Sequence, residues 1–129
     1  MSVSFADDET IQSVEKLLRR IHPKHVVPDK HGGFRPSSAA FNDRELSVDI
    51  ESTLTALNRS HQSCLDGYEG YGLAWFSAGT ARASQQAVCR DPLPDNPAHG
   101  IVHGDKPTRV KKQLVGGTTW IVEIRPPEP

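Results

Sequence analysis

Apolar residues recur along residues 8–21 at Ile11, Val14, Leu17, Leu18 and Ile21, the three-or-four spacing that lines one helical face. Asp7, Asp8 and Glu9 stand where the positive end of such a helix favours acids, Glu15 is one turn before Arg19, and Pro23 closes the element. The pattern predicts an N-terminal amphipathic helix. Residues 46–50, Leu-Ser-Val-Asp-Ile, alternate apolar and polar as a half-buried strand does. Residues 51–65, with Leu54, Leu57 and Leu65, read as a second helix interrupted by Asn58, Arg59 and Ser60.

Further along, residues 73–78 and 86–89 read as paired strands joined by a short irregular connection, with Trp75 or Phe76 anchoring the core. A brief strand is expected at 100–103. Residues 106–115 predict a helix that starts at Pro107, uses Val110, Leu114 and Val115 as its buried face and stops at Gly116-Gly117. The β-branched run 118–124 predicts a last strand, and the proline-rich end 126–129 a disordered tail beyond one domain of residues 1–125. Strands and helices alternate without a βαβ rhythm, so the expected class is α+β with a mainly antiparallel sheet.

Two stretches break the periodicity. His25-Val26-Val27-Pro28 suggests a short strand, 30–33 a turn, and Pro36 confines any strand near Phe34 to an edge. The stretch 89–104, CRDPLPDNPAHGIVHG, holds Pro92, Pro94 and Pro97, which fix φ and remove backbone donors, so it is expected to be a stiff, shaped loop. Such loops carry binding and catalytic groups, and Asp91, Asp95, Asn96, His99 and His103 are the candidates here.

Composition narrows the setting. The chain has 129 residues and a net charge of −1, enough to bury a core and too balanced to advertise nucleic acid or an anionic membrane. No apolar run approaches a membrane span, and no basic region leads into an apolar one, so a cytoplasmic protein is expected. Cys64 and Cys89 are then expected as free thiols.

Several candidate chemistries follow. His99 is suited to act as general acid or base, oriented by Asp91, Asp95 or Asp105, with Cys89 as a nucleophile beside it, against the plainer roles of a loop-pinning imidazole and a small buried thiol. Arg35 with Ser37 and Ser38 is suited to collect an anionic group, or the serines simply cap a turn. Tyr68 and Tyr71, in the glycine-rich loop 66–72, offer contact area to a partner. No metal or cofactor is expected. Pro23 obstructs a helical His22/His25 pair, and an extended 99–103 segment holds His99 and His103 on one face about 13 Å apart at roughly 3.3 Å per residue. Lys106, Arg109, Lys111 and Lys112 make one region basic, which reads as a solvated helix face or, less directly, a nucleic-acid patch.

The segments RPSSAAFND and DPLPDNPAHGIVHG resemble those of small bacterial proteins of uncharacterised function, and that resemblance implies no activity. The order of Arg19 or Arg20, then Ser37-Ser38, then Glu123 resembles the arginine, serine and glutamate order of ADP-ribosyltransferases, where three strand positions hold and activate NAD. Here the arginines fall on an expected helix, no Ser-Thr-Ser run is present, and Ile121 stands two before Glu123.

The sequence therefore favours a small module that recognises another macromolecule, most directly a protein, through the proline loop, the Gly-Tyr loop and the 35–38 segment. A small enzyme, a hydrolase or transferase using His99 with an aspartate on an anionic substrate, is the alternative. A nucleic-acid accessory protein is a third.

Overall fold

Residues 16–21, expected in a helix, form an interior strand in the computed structural model, which describes residues 6–127. In chain order the strands are β1 (Lys16–Ile21), β2 (Val26–Pro28), β3 (Phe34–Pro36), β4 (Glu45–Ile50), β5 (Gly72–Ser77), β6 (Ala87–Arg90), β7 (His99–His103) and β8 (Thr119–Val122). Six of them make one sheet in the order β6-β7-β4-β1-β5-β8, antiparallel at every pairing, while β2 and β3 form a separate hairpin. The helices are short: α1 (Glu51–Ala56), α2 (Ala78–Ala83) and α3 (Thr108–Gly116). The α+β class with an N-terminal amphipathic helix is thereby overturned. The fold is mostly antiparallel sheet, and among the described residues no α-helix precedes Glu51.

The physical reason lies in how β1 is buried. Leu17 and Ile21 join the core on one sheet face and Leu18 joins the cluster on the other, all three at no more than 1% exposure. A strand covered on both sides needs apolar residues at consecutive positions, and over so short a run that pattern mimics a helical face. Val14, required by the helical reading, is 80% exposed. Burying the three β1 side chains contributes about 1.5–3 kcal/mol each, far more than a marginal helix would gain from propensity.

The neighbouring polar residues follow the same logic. Asp7 and Asp8 do not serve a helix end. The Val88 amide donates to the Asp7 carboxylate at 2.9 Å and the Asp8 amide donates to the Val88 carbonyl at 2.8 Å, so the segment before β1 covers the outer edge of β6. Glu15 does not meet Arg19. It accepts from the Ser52 amide at 3.2 Å, at the first turn of α1.

One sheet face carries the larger core, where Phe41 and Phe76 meet edge to face at 5.9 Å and α2 and α3 contribute Ala78, Ala81, Val110 and Leu114. The other face is covered by Leu54 of α1, Cys64, Leu65 and Ala98. The expected helix 51–65 divides because Asn58 turns left-handed at φ 56°, leaving α1 and a 3-10 turn His61–Leu65. The expected pairing of β5 with β6 does not occur. β5 lies between β1 and β8, and β6 pairs with β7 across the proline loop. Gly100 permits that pairing, since a Cβ there would stand 2.9 Å from the Cys89 carbonyl and 3.1 Å from Ile50 Cδ1.

The chain after β8 has no regular structure through Pro127, and of the expected disordered tail Glu128 and Pro129 lie outside the described residues. Among the described residues no helix is long and apolar enough to cross a membrane.

Candidate functional site

The proline loop closes on itself. Leu93 and Asn96 exchange both backbone hydrogen bonds at 3.0 Å, making Pro94-Asp95 the corner of a tight turn where proline's fixed φ is favoured. The Asp91 amide donates to the His99 carbonyl at 3.0 Å and the His99 amide to the Asn96 carbonyl at 3.1 Å, joining the loop to the start of β7. This shape places the loop over the more thinly covered sheet face. Between it, the turn 61–65 and the Gly-Tyr loop lies a cavity of about 740 Å3.

Strands supply the floor. The β4–β7 register sets Asp49 opposite His99, and β1 brings Arg20 alongside. Asp49 is buried, and its Oδ1 accepts from Asn96 Nδ2 at 2.7 Å, which fastens the proline loop to the sheet. Its Oδ2 meets Arg20 Nη1 at 3.5 Å. Arg20 also donates to the Cys64 carbonyl at 3.3 Å and lies 4.1 Å from the centre of the Tyr68 ring, a cation–π contact. From the mouth, Arg59 reaches the Asp95 carbonyl at 3.5 Å.

His99 sits in this floor with its side chain 11% exposed. Its Nδ1 is 2.9 Å from the Asp91 carbonyl and 3.1 Å from Asp91 Oδ2. A carbonyl oxygen only accepts, so Nδ1 carries the hydrogen, and in the neutral ring Nε2 is the nitrogen with a free lone pair. Among the three aspartates considered from sequence, Asp91 is the one that orients the imidazole. Asp95 lines the cavity from the turn of the loop, whereas Asp105 pairs with Arg44.

Other expected residues lie elsewhere. Asn96 and Tyr68 line the cavity; Tyr71 stands behind Tyr68, ring centres 5.3 Å apart, and packs on His22 at 5.0 Å. His103, at the far end of β7, is not among the lining residues. Arg35 donates to the Pro36 carbonyl at 3.0 Å on β3, Ser37 and Ser38 begin the 3-10 turn Ser38–Phe41, and none of the three lines the cavity. Nor does Glu123. In the basic region, Lys106 donates to three backbone carbonyls, Arg109 to Gln85 and Lys111 to Asn42, while Lys112 is exposed. Among the described residues no group of three or more His, Cys, Asp or Glu is placed to hold a metal ion.

Sequence reasoning passed over Asp49, Arg59 and Cys64. The alternation in 46–50 puts Ser47 and Asp49 on one strand face, which reads as the solvent face unless a distant loop is known to cover it.

Neither cysteine is poised for nucleophilic work. Burial, and then the Asp49 carboxylate, push the Cys64 thiol up to about 12, and burial also raises Cys89, whose Sγ donates to the Ala6 carbonyl at 3.2 Å. Both are free and buried. Native protein is therefore expected to react with a thiol reagent only as it unfolds. Cys64 also shapes the alkaline limb of stability. Between the ordinary thiol value of 9.0 and about 12, the unfolded chain has released a proton that the folded chain keeps. Stability consequently falls as pH rises through that window. Lys106, pulled down to about 8 chiefly by burial, acts in the opposite sense, gaining stability from pH 8 towards its ordinary 10.5. The difference in unfolding midpoint between the wild-type chain and Cys64→Ala, followed from pH 8 to about 10.5, isolates the cysteine and should shift in favour of the variant as pH rises. A pH-independent difference would refute this assignment.

No family model, no curated protein and no solved structure matches this chain.

Proposed function

We propose that the chain is a small cytoplasmic recognition module that seats a segment of another protein in the cavity between the proline loop and the Gly-Tyr loop. The observation that carries this reading is convergence: two loops far apart in sequence wall one cavity of about 740 Å3. Leu93, 40% exposed, and Tyr68, 38% exposed, are among its apolar lining groups, while Asp49, Arg20, Asn96 and His99 are held by internal bonds. Apolar contact at the mouth supplies affinity, and fixed polar groups beneath supply selectivity. The 35–38 segment expected to share this surface is not part of it.

The test compares the tagged wild-type chain with Leu93→Ala/Tyr68→Ala. Both residues lie outside the main core, so the variant should stay folded, with a modestly lower thermal midpoint from the lost Tyr68 contacts with Arg20 and Tyr71. A protein retained by the wild type should be lost with the variant, and the purified pair should bind at least tenfold more weakly. Equal retention by the two chains would count against the cavity as the docking site.

A second reading is favoured by one specific feature, the His99–Asp91 geometry. An imidazole whose Nδ1–H is held by an aspartate and whose Nε2 has no hydrogen-bond partner among the described residues has the arrangement of a general base. An anionic substrate would then meet Arg20 and Arg59, and not Arg35, Ser37 or Ser38. His99→Gln separates the readings: turnover of a small substrate lost while protein capture persists supports the enzyme, and capture without turnover in either chain removes it.

A further inference from the structure

We infer that the group this cavity receives is a basic side chain, an arginine or lysine presented on a loop of the partner protein. The inference rests on the recognition reading above and names the chemistry of its occupant.

The first reason is what the floor offers. With Nδ1–H committed to Asp91, the neutral form of His99 presents an acceptor at Nε2, and a visitor to that form pairs with it by bringing a donor. The second is the state of Asp49. Its side chain is 4% exposed, and its Oδ2 meets the Arg20 guanidinium at 3.5 Å. That is well outside the roughly 2.7–2.9 Å of a charge-assisted bond, and an ionised carboxylate accepts about four hydrogen bonds. One amide at 2.7 Å and one long ion pair use two of these acceptor positions, so Asp49 keeps capacity for a further donor. The register sets Asp49 and His99 side by side on the same sheet face, so one guanidinium or ammonium group can address both.

Charge around the cavity points the same way. Asp49, Asp66 and Asp95 line it against Arg20 and Arg59, and Asp91 stands behind His99. The two guanidiniums are already engaged, Arg20 by Asp49, the Cys64 carbonyl and the Tyr68 ring, and Arg59 by the Asp95 carbonyl. An incoming anion would face carboxylates held for other partners, whereas a cation finds acceptors. The apolar lining of Leu93 and Tyr68 suits the methylene stem of a long basic side chain, whose head then reaches the polar floor.

The experiment is an NMR titration of the full 15N-labelled chain with N-acetyl-arginine-N-methylamide, its neutral isostere N-acetyl-citrulline-N-methylamide, and N-acetyl-glutamate-N-methylamide. The arginine probe should give saturable shifts at the amides of residues 47–49 and 91–99, with the citrulline probe at least fivefold weaker and the glutamate probe silent. Asp49→Asn should abolish the arginine response. Because that variant also disturbs the floor, Asp66→Asn/Asp95→Asn at exposed lining positions provides a second measure and should weaken the arginine probe about threefold. Saturable binding of the glutamate probe at these amides would overturn the basic class while leaving the cavity as a recognition site. Silence from all three probes, alongside partner capture that depends on Leu93 and Tyr68, would overturn this inference alone; loss of that capture dependence would instead remove the reading beneath it.

Discussion

Asp49→Ala is expected to destabilise the chain by about 3 kcal/mol, the lower part of the range for removing one partner of a buried ion pair. Two groups lose their acceptor at once: Asn96 Nδ2 at 2.7 Å and Arg20 Nη1 at 3.5 Å. The cost stays at the lower end because the Arg20 side chain is 23% exposed and can recruit water, whereas the Asn96 amide tethers a loop. The local consequence should be larger than the global one. The amides of Leu93 and Asn96, protected by their reciprocal bonds, are expected to exchange much faster once the loop is no longer fastened to β4. Urea unfolding gives the first quantity and hydrogen exchange the second. A cycle with Asn96→Ala should show the two substitutions to be coupled, since both remove the same bond. Unchanged exchange at Leu93 and Asn96 would mean that the prolines alone hold the loop.

Phe76→Ala should cost about 3–5 kcal/mol, as truncating a buried aromatic does when the cavity cannot collapse. Phe76 is fully buried in β5, opposite Leu17 in the register, and its ring stands at 78° to that of Phe41, 5.9 Å away. Domains of this size commonly have only about 5–15 kcal/mol in total, so the variant should unfold at far lower urea and temperature, and Phe76→Leu should recover much of the loss. The adjacent Trp75 provides the contrast. It faces the other side of the sheet, half-buried beneath Lys16, whose ammonium lies 4.7 Å from the ring. Trp75→Ala should therefore cost clearly less, and a larger loss there than at Phe76 would reverse the assignment of the main core.

The candidate site divides between what local chemistry suggests and what it cannot reach. A loop with three prolines, and the aspartate that orients His99, are features of one contiguous stretch, and Asp91 is only eight residues from the imidazole it contacts. Arg20, Asp49 and the Cys64–Tyr68 stretch come from three separate segments. Nothing in the immediate neighbours of Asp49 marks it as buried. Its environment is produced by Asn96, forty-seven residues away, and by the pairing of β4 with both β1 and β7. Arg35, Ser37 and Ser38 show the converse: a plausible anion-collecting set by composition, placed on a hairpin and turn that do not reach the cavity.

Hydrophobic spacing and turn chemistry act over a few residues, and by themselves they determined the strand β4, the helical character of α3, the strand β8 and the shaped proline loop. Tertiary structure alone decided that Leu17 and Leu18 lie on opposite faces of a strand, because two-sided burial arises only when other segments cover both sides. It decided strand order for the same reason, since β1 meets β5 through contacts more than fifty residues apart in the chain. The cavity, a space between segments that the fold brings together, is likewise encoded by no single one of them.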